Sequence, residues 1–133
     1  MNSRLHAALR YLYALVLLGS GAKHLYNIYW GDASIMATGY PEPEAQAFVF
    51  AVLETKFLLP FICTAKLIAG ITMLLPGREQ LGVLMAFPYA VGMLMWGLFM
   101  VPSHLLIMGV IFLLNAALVY ANMPHYRGLL KAS

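Results

Sequence analysis

Seven side chains are of the wrong type for the apolar stretches that hold or flank them: Lys23, His24, Glu54, Lys66, Tyr89, His104 and Asn115. Any chemistry has to start there, because an ionisable group in hydrocarbon is costly unless it is paired or wetted. Helical rise puts Lys23 and His24 about 20 Å beyond Arg10. His104 opens the last apolar stretch on the same side, and Glu54 and Lys56 stand just above the second. Lys66, Tyr89 and Asn115 fall deeper, roughly 14–17 Å from their helix ends, and are expected to meet near mid-depth. A lysine as deep as Lys66 must find an acceptor, line a wet pocket or give up its proton. Snorkelling over about 15 Å is too far for one side chain. Lys66 therefore reads as facing a polar pocket, or else as tying helices together through a Tyr or Asn. Lys23 lies shallow enough to be a plain interfacial anchor, and Glu54 is its candidate partner.

Other chemistries lack support. His24 and His104 on separate helices have the residue types for an axial haem pair. Yet there is no HxxxH, no CxxCH and no third ligand, so interfacial or hydrogen-bonded histidines are the better expectation, and no metal is assigned. The nine methionines follow no ligand spacing and read as filler. Cys63 is the only cysteine, which rules out an intrachain disulfide and a CxxC redox motif. No Ser-His-Asp grouping, paired intramembrane carboxylates, Walker loop or dinucleotide fingerprint is present. No catalytic residue is assigned.

The elements that must position these groups follow from composition. Of 133 residues, 62% are hydrophobic and 10% charged, against roughly 45–50% and about 25% in soluble domains. Lipid has to act as solvent. The net charge of +3 comes from few, scattered basic residues, which argues for membrane orientation and against a nucleic-acid partner. Four spans are predicted in a single domain over 1–133, at about 5–29, 57–75, 80–101 and 103–121; each meets the roughly 20 apolar residues that a crossing needs. The first is too long for a cleavable signal peptide. With four spans, Arg4, Arg10, Arg78, Arg127 and Lys131 share one side, and Asp32, Glu42 and Glu44 the other. Positive charge then places both termini in the cytoplasm, by default that of a bacterial inner membrane. The long outer connection begins with turns at Gly31, Gly39, Pro41 and Pro43. From Glu44, the spacing of Ala45, Phe48, Val49, Val52 and Leu53 predicts a helix over about 44–56. It either lies on the outer surface or runs into the second span as one helix kinked at Pro60. The predicted fold class is thus an all-α, four-helix transmembrane bundle with a short extra helix in the outer loop.

Several short runs carry a family likeness. They are Ser20-Gly21-Ala22-Lys23 with the outer excursion after it, Ala65-Lys66-Leu67-Ile68-Ala69-Gly70 leading into Leu74-Leu75-Pro76-Gly77-Arg78, and the tight final hairpin. Together they resemble the DoxX-like family of small four-span membrane proteins, over most of the chain. The resemblance implies a range of roles. Some members are small subunits associated with thiosulfate:quinone oxidoreductase, others are linked to redox-stress assemblies, and distant animal relatives assist ion-channel assembly. Many members carry an acid where Lys66 stands, able to pair the lysine matching Lys23. Here both positions are lysine, and two lysines cannot both stay charged at close range. Glu54 or a bound anionic head group is left as acceptor.

Two roles are carried forward. The first is a non-catalytic accessory or assembly subunit of a membrane complex, of redox type, that binds a membrane protein or a second copy of itself through its helices. The second is a quinone- or lipid-binding subunit, its pocket drawn from the seven residues above, with no other cofactor. A small transporter or channel ranks below both, since four spans per chain would need oligomerisation to form a pore.

Overall fold

The computed structural model describes residues 2–131. Among them are seven α-helices and one 3-10 turn, with no strand: α1 (Ser3–Tyr29), α2 (Ile35–Thr38), α3 (Pro43–Glu54), α4 (Leu58–Leu74), α5 (Glu79–Phe99), the turn Pro102–His104, α6 (Leu105–Ala121) and α7 (Met123–Lys131). By length and composition α1, α5 and the segment Pro102–Ala121 can cross a membrane, and a fourth span results if the bent pair α3 and α4 counts as one. The chain is therefore an all-helical protein with three to four candidate membrane spans.

Local chemistry explains where the helices start and stop. Asn2 caps α1 by accepting the Arg4 N–H at 2.8 Å. Between α3 and α4 the chain turns by 90°. The break falls at Thr55–Phe57, where Lys56 takes a left-handed φ of 65°. It does not fall at Pro60. Proline lacks an N–H, but in the first turn of a helix that N–H has no partner to lose, so Pro60 starts α4 instead of kinking it. The Thr55 hydroxyl accepts the Leu58 N–H at 3.2 Å and donates to Val52 O at 2.6 Å, pinning the corner. Two helices therefore replace the single kinked one. α4 alone has 17 residues, about 25 Å of rise. At its far end Gly77, with φ of 77°, supplies the left-handed turn into α5.

The long helices pack antiparallel in a ring, α1 against α4, α4 against α5, α5 against α6, and α6 back to α1. One end of this ring carries both chain ends; the other carries α2, α3 and the 3-10 turn. Small residues set the closest approaches near the first end. A Cβ on Gly70 would sit 2.9 Å from Leu18 Cγ, and one on Gly82 would meet the Met73 backbone nitrogen and lie 2.9 Å from Ala69 O. Tyr13, Ala14, Leu17, Ala69, Met73, Val83, Ala86 and Leu118 form the core there.

α7 lies outside the elements that the sequence predicts. Pro124 reads as a stop for α6, but Pro124 occupies the first turn of a new helix, where it is favoured. Tyr126 donates its hydroxyl to Gln80 O at 2.6 Å, tying α7 to the start of α5. Burial pushes the Tyr126 hydroxyl up to about 12, so it stays a donor.

Candidate functional site

At the loop end α2 and α3 fold over the mouth of the bundle. Ala37 and Ala45 are fully buried beneath this cap. Tyr40 and Phe48 pack on Trp96 with ring centroids 5.6 and 5.3 Å apart, and Tyr40 reaches His104 at 5.3 Å. Glu42 accepts the Ser103 N–H at 3.2 Å. Hydrogen bonding from Ser103, its side chain foremost, holds the Glu42 carboxyl below its ordinary value. Asp32 is likewise lowered by the Ser34 hydroxyl at 2.6 Å and N–H at 3.0 Å, which stabilises the turn into α2.

Beneath the cap is a cavity of about 220 Å³ with an almost wholly apolar wall. α4 contributes Leu59, Ile62, Cys63 and Lys66, which share one face by helical spacing, and α5 contributes Tyr89, Met93 and Trp96 in the same way. Met36, Tyr40, Phe48, Val49 and Val52 close it from α2, the loop and α3, and His24 from α1. Gly21 makes the α1 contribution possible. A Cβ there would lie 3.1 Å from Cys63 O, so glycine lets α1 approach α4 one turn before His24.

Lys66 is the polar feature of this cavity and is only 5% exposed. Its Nζ lies 3.4 Å from His24 Nδ1 and 5.2 Å from the centroid of the Tyr89 ring. Lys66 can donate to Nδ1 only if His24 carries its proton on Nε2; that Nε2–H and the Tyr89 hydroxyl then have no protein partner among the described residues. An ammonium has three donors, and here one histidine nitrogen and one ring face answer it. No carboxylate lies within ion-pairing distance of it among the described residues.

Of the seven residues singled out in the sequence, three meet: His24, Lys66 and Tyr89. Lys23 is exposed, because adjacent helical residues point about 100° apart and His24 takes the inward position. Glu54 is exposed at the end of α3 and forms no ion pair with Lys23 among the described residues. His104 turns away from the cavity to Tyr40 and to the Ser103 hydroxyl, 3.0 Å from its Nδ1. Asn115 does not join Lys66 and Tyr89. It accepts from the Tyr13 hydroxyl at 2.8 Å and donates to Val83 O at 3.2 Å. Similar distances from helix ends failed to give similar depth because α6 is offset along α5. Asn115 stands opposite Val83, six residues or about 9 Å from Tyr89. The group is fully buried and joins α1, α5 and α6.

Trp96 and Tyr40, which line the cavity, are not among the residues singled out in the sequence. The spacing Tyr89–Met93–Trp96 was the available signal for a shared inward face. No group of three or more His, Cys, Asp or Glu is placed to hold a metal among the described residues. No family model, curated protein or solved structure matches the chain, so the family likeness rests on the residue runs quoted above.

Proposed function

We propose that this chain is a four-span, DoxX-like protein of the bacterial inner membrane, with cytoplasmic termini. In this reading it is a non-catalytic subunit whose outer cavity holds the polar head of a quinone or lipid. One observation carries it: Lys66 is buried with no carboxylate beside it among the described residues, facing a cavity with aromatic walls. Leaving a cation or amine short of acceptors in an apolar site is costly, and an oxygen-bearing head would supply them. Nζ, beside His24 and the Tyr89 ring, is a donor for such a head, and the apolar wall suits the rest of the ligand. Quinone and phospholipid added to protein in lipid nanodiscs test this. At least one is expected to bind to wild type and to lose about tenfold or more in Lys66→Met. Binding that ignores Lys66, or none of either, would refute the reading.

The accessory role has its own support in α6. Leu106, Val110, Leu113 and Tyr120 recur along one face and are 81%, 56%, 65% and 79% exposed. Such a stripe suits a membrane-protein partner or a second copy of the chain as well as lipid. Cysteine substitution at Val110 and Leu113 tests it: oxidative cross-linking in native membranes is expected, and uniformly lipid-accessible, uncrosslinked positions would remove this role.

A further inference from the structure

A second cavity, about 340 Å³, opens between α4 and α5 on the lipid-facing side. It shares Ile62, Lys66, Tyr89 and Met93 with the outer cavity, so those four side chains separate two halves of one space. It runs from Ile62 and Met93 to Leu17, Ala69 and Ala86. A Cβ at Gly92 would meet nothing within 4 Å, and the outer wall of this cleft is formed by Ala65, Pro88 and Gly92. Those three are exposed.

Charge says what the inner end of this space should hold. Lys66 and His24 face it, and no Asp or Glu lines either cavity among the described residues. We propose that the two cavities are one site for an anionic, single-chain amphiphile such as a long-chain fatty acid. Its carboxylate sits on Lys66 and His24, and its tail leaves through the α4–α5 cleft into the bilayer. The proposal rests on the head-group reading above and adds the charge of the head and the path of the tail. A carboxylate on Lys66 would complete an ion pair that no described residue supplies, and the cleft offers a tail a route from lipid without crossing the cap.

The experiment uses full-length protein in nanodiscs with Trp30→Phe, which leaves Trp96, a wall of the outer cavity alone, as the sole tryptophan. Hexadecanoate brominated beside its carboxylate is expected to quench Trp96 more than the same acid brominated at the tail tip. Gly92→Leu, which fills the cleft from a position with open space, is expected to weaken hexadecanoate about tenfold, roughly two methylenes of lost burial, and to leave hexanoate unchanged. Ala65→Leu on the opposite wall should do the same. Lys66→Met should weaken both acids, and the methyl ester should not compete. Equal quenching by the two bromo-acids, an ester that competes, or Gly92→Leu and Ala65→Leu without effect on hexadecanoate would overturn the proposal. A neutral long-tailed quinone that displaces the acid and depends on Lys66 would overturn the anionic class and leave the head-group reading standing. Loss of all Lys66 dependence would remove both.

Discussion

The two ends of this bundle solve the same packing problem in opposite ways. At the terminal end Gly70 and Gly82 bring α1, α4 and α5 into near-backbone contact, and the polar groups of the core are paired, although Arg10 Nε is buried there without a partner among the described residues. Asn115 answers Tyr13 and Val83, and Tyr126 answers Gln80. Towards the loop end one cavity opens beneath the cap, a second opens between α4 and α5 at mid-length, and Lys66 lies buried between them with one histidine nitrogen for its three donors. Packing in lipid has no hydrophobic drive between helices and depends on close contact and satisfied polar groups. Stability should therefore reside at the terminal end, and ligand chemistry at the loop end.

That contrast can be broken most forcefully at the glycines. Gly82→Val is expected to destabilise by about 3 kcal/mol or more, since backbone would have to move. Gly92→Ala is expected to be neutral or to stabilise by up to about 1 kcal/mol. Thermal unfolding of both variants in detergent checks this, and equal costs would erase the difference between the ends. Lys66→Met should separate function from stability. It is expected to be neutral or to stabilise the ligand-free protein by roughly 1–3 kcal/mol while weakening head-group binding; a destabilised variant would make Lys66 a structural tie. Tyr13→Phe sharpens the opposite case, with an expected loss of about 1 kcal/mol and unchanged ligand affinity.

The smallest effect concerns the cap. Glu42 has a carboxyl lowered by Ser103, so its contribution is present above the ordinary carboxylate value and is lost as pH falls through the lower folded value. Acidification below about pH 4.5 should loosen α2 and α3 first, read as faster amide exchange over Ile35–Glu54 than over α4. Glu42→Gln should reduce the pH dependence, leaving the part that Asp32 contributes at the turn into α2. Cap exchange that is unchanged on acidification would show that the aromatic contacts with Trp96 hold it alone.

How much of this was written plainly in the sequence depends on the range of the interaction. The apolar stretches and the Pro76-Gly77 turn are local features, and the helices form where the pattern puts them. The depth of Lys66 was legible for the same reason, since a lysine in an apolar run stands out whatever surrounds it. Depth on one helix does not fix depth on its neighbour, and the offset of α6 sent Asn115 to Tyr13 instead of to Tyr89. Proline was ambiguous in both directions. Pro60 and Pro124 read as a kink and a stop, and both sit in the first turns of helices, where a missing N–H costs nothing. The cap residues Tyr40 and Phe48 were invisible as site residues because only the 90° corner at Lys56 folds them over Trp96. Four crossings remain a proposal for a related reason. α4 alone is short, and its partner helix turns away from it.

The buried amine and what it holds can be weighed directly. Native mass spectrometry of wild type and Lys66→Met, each released from membranes under the same gentle conditions, should show wild type carrying a bound amphiphile and the variant bare. Wild type released without ligand, or both forms carrying the same load, would mean that Lys66 does not hold a head group.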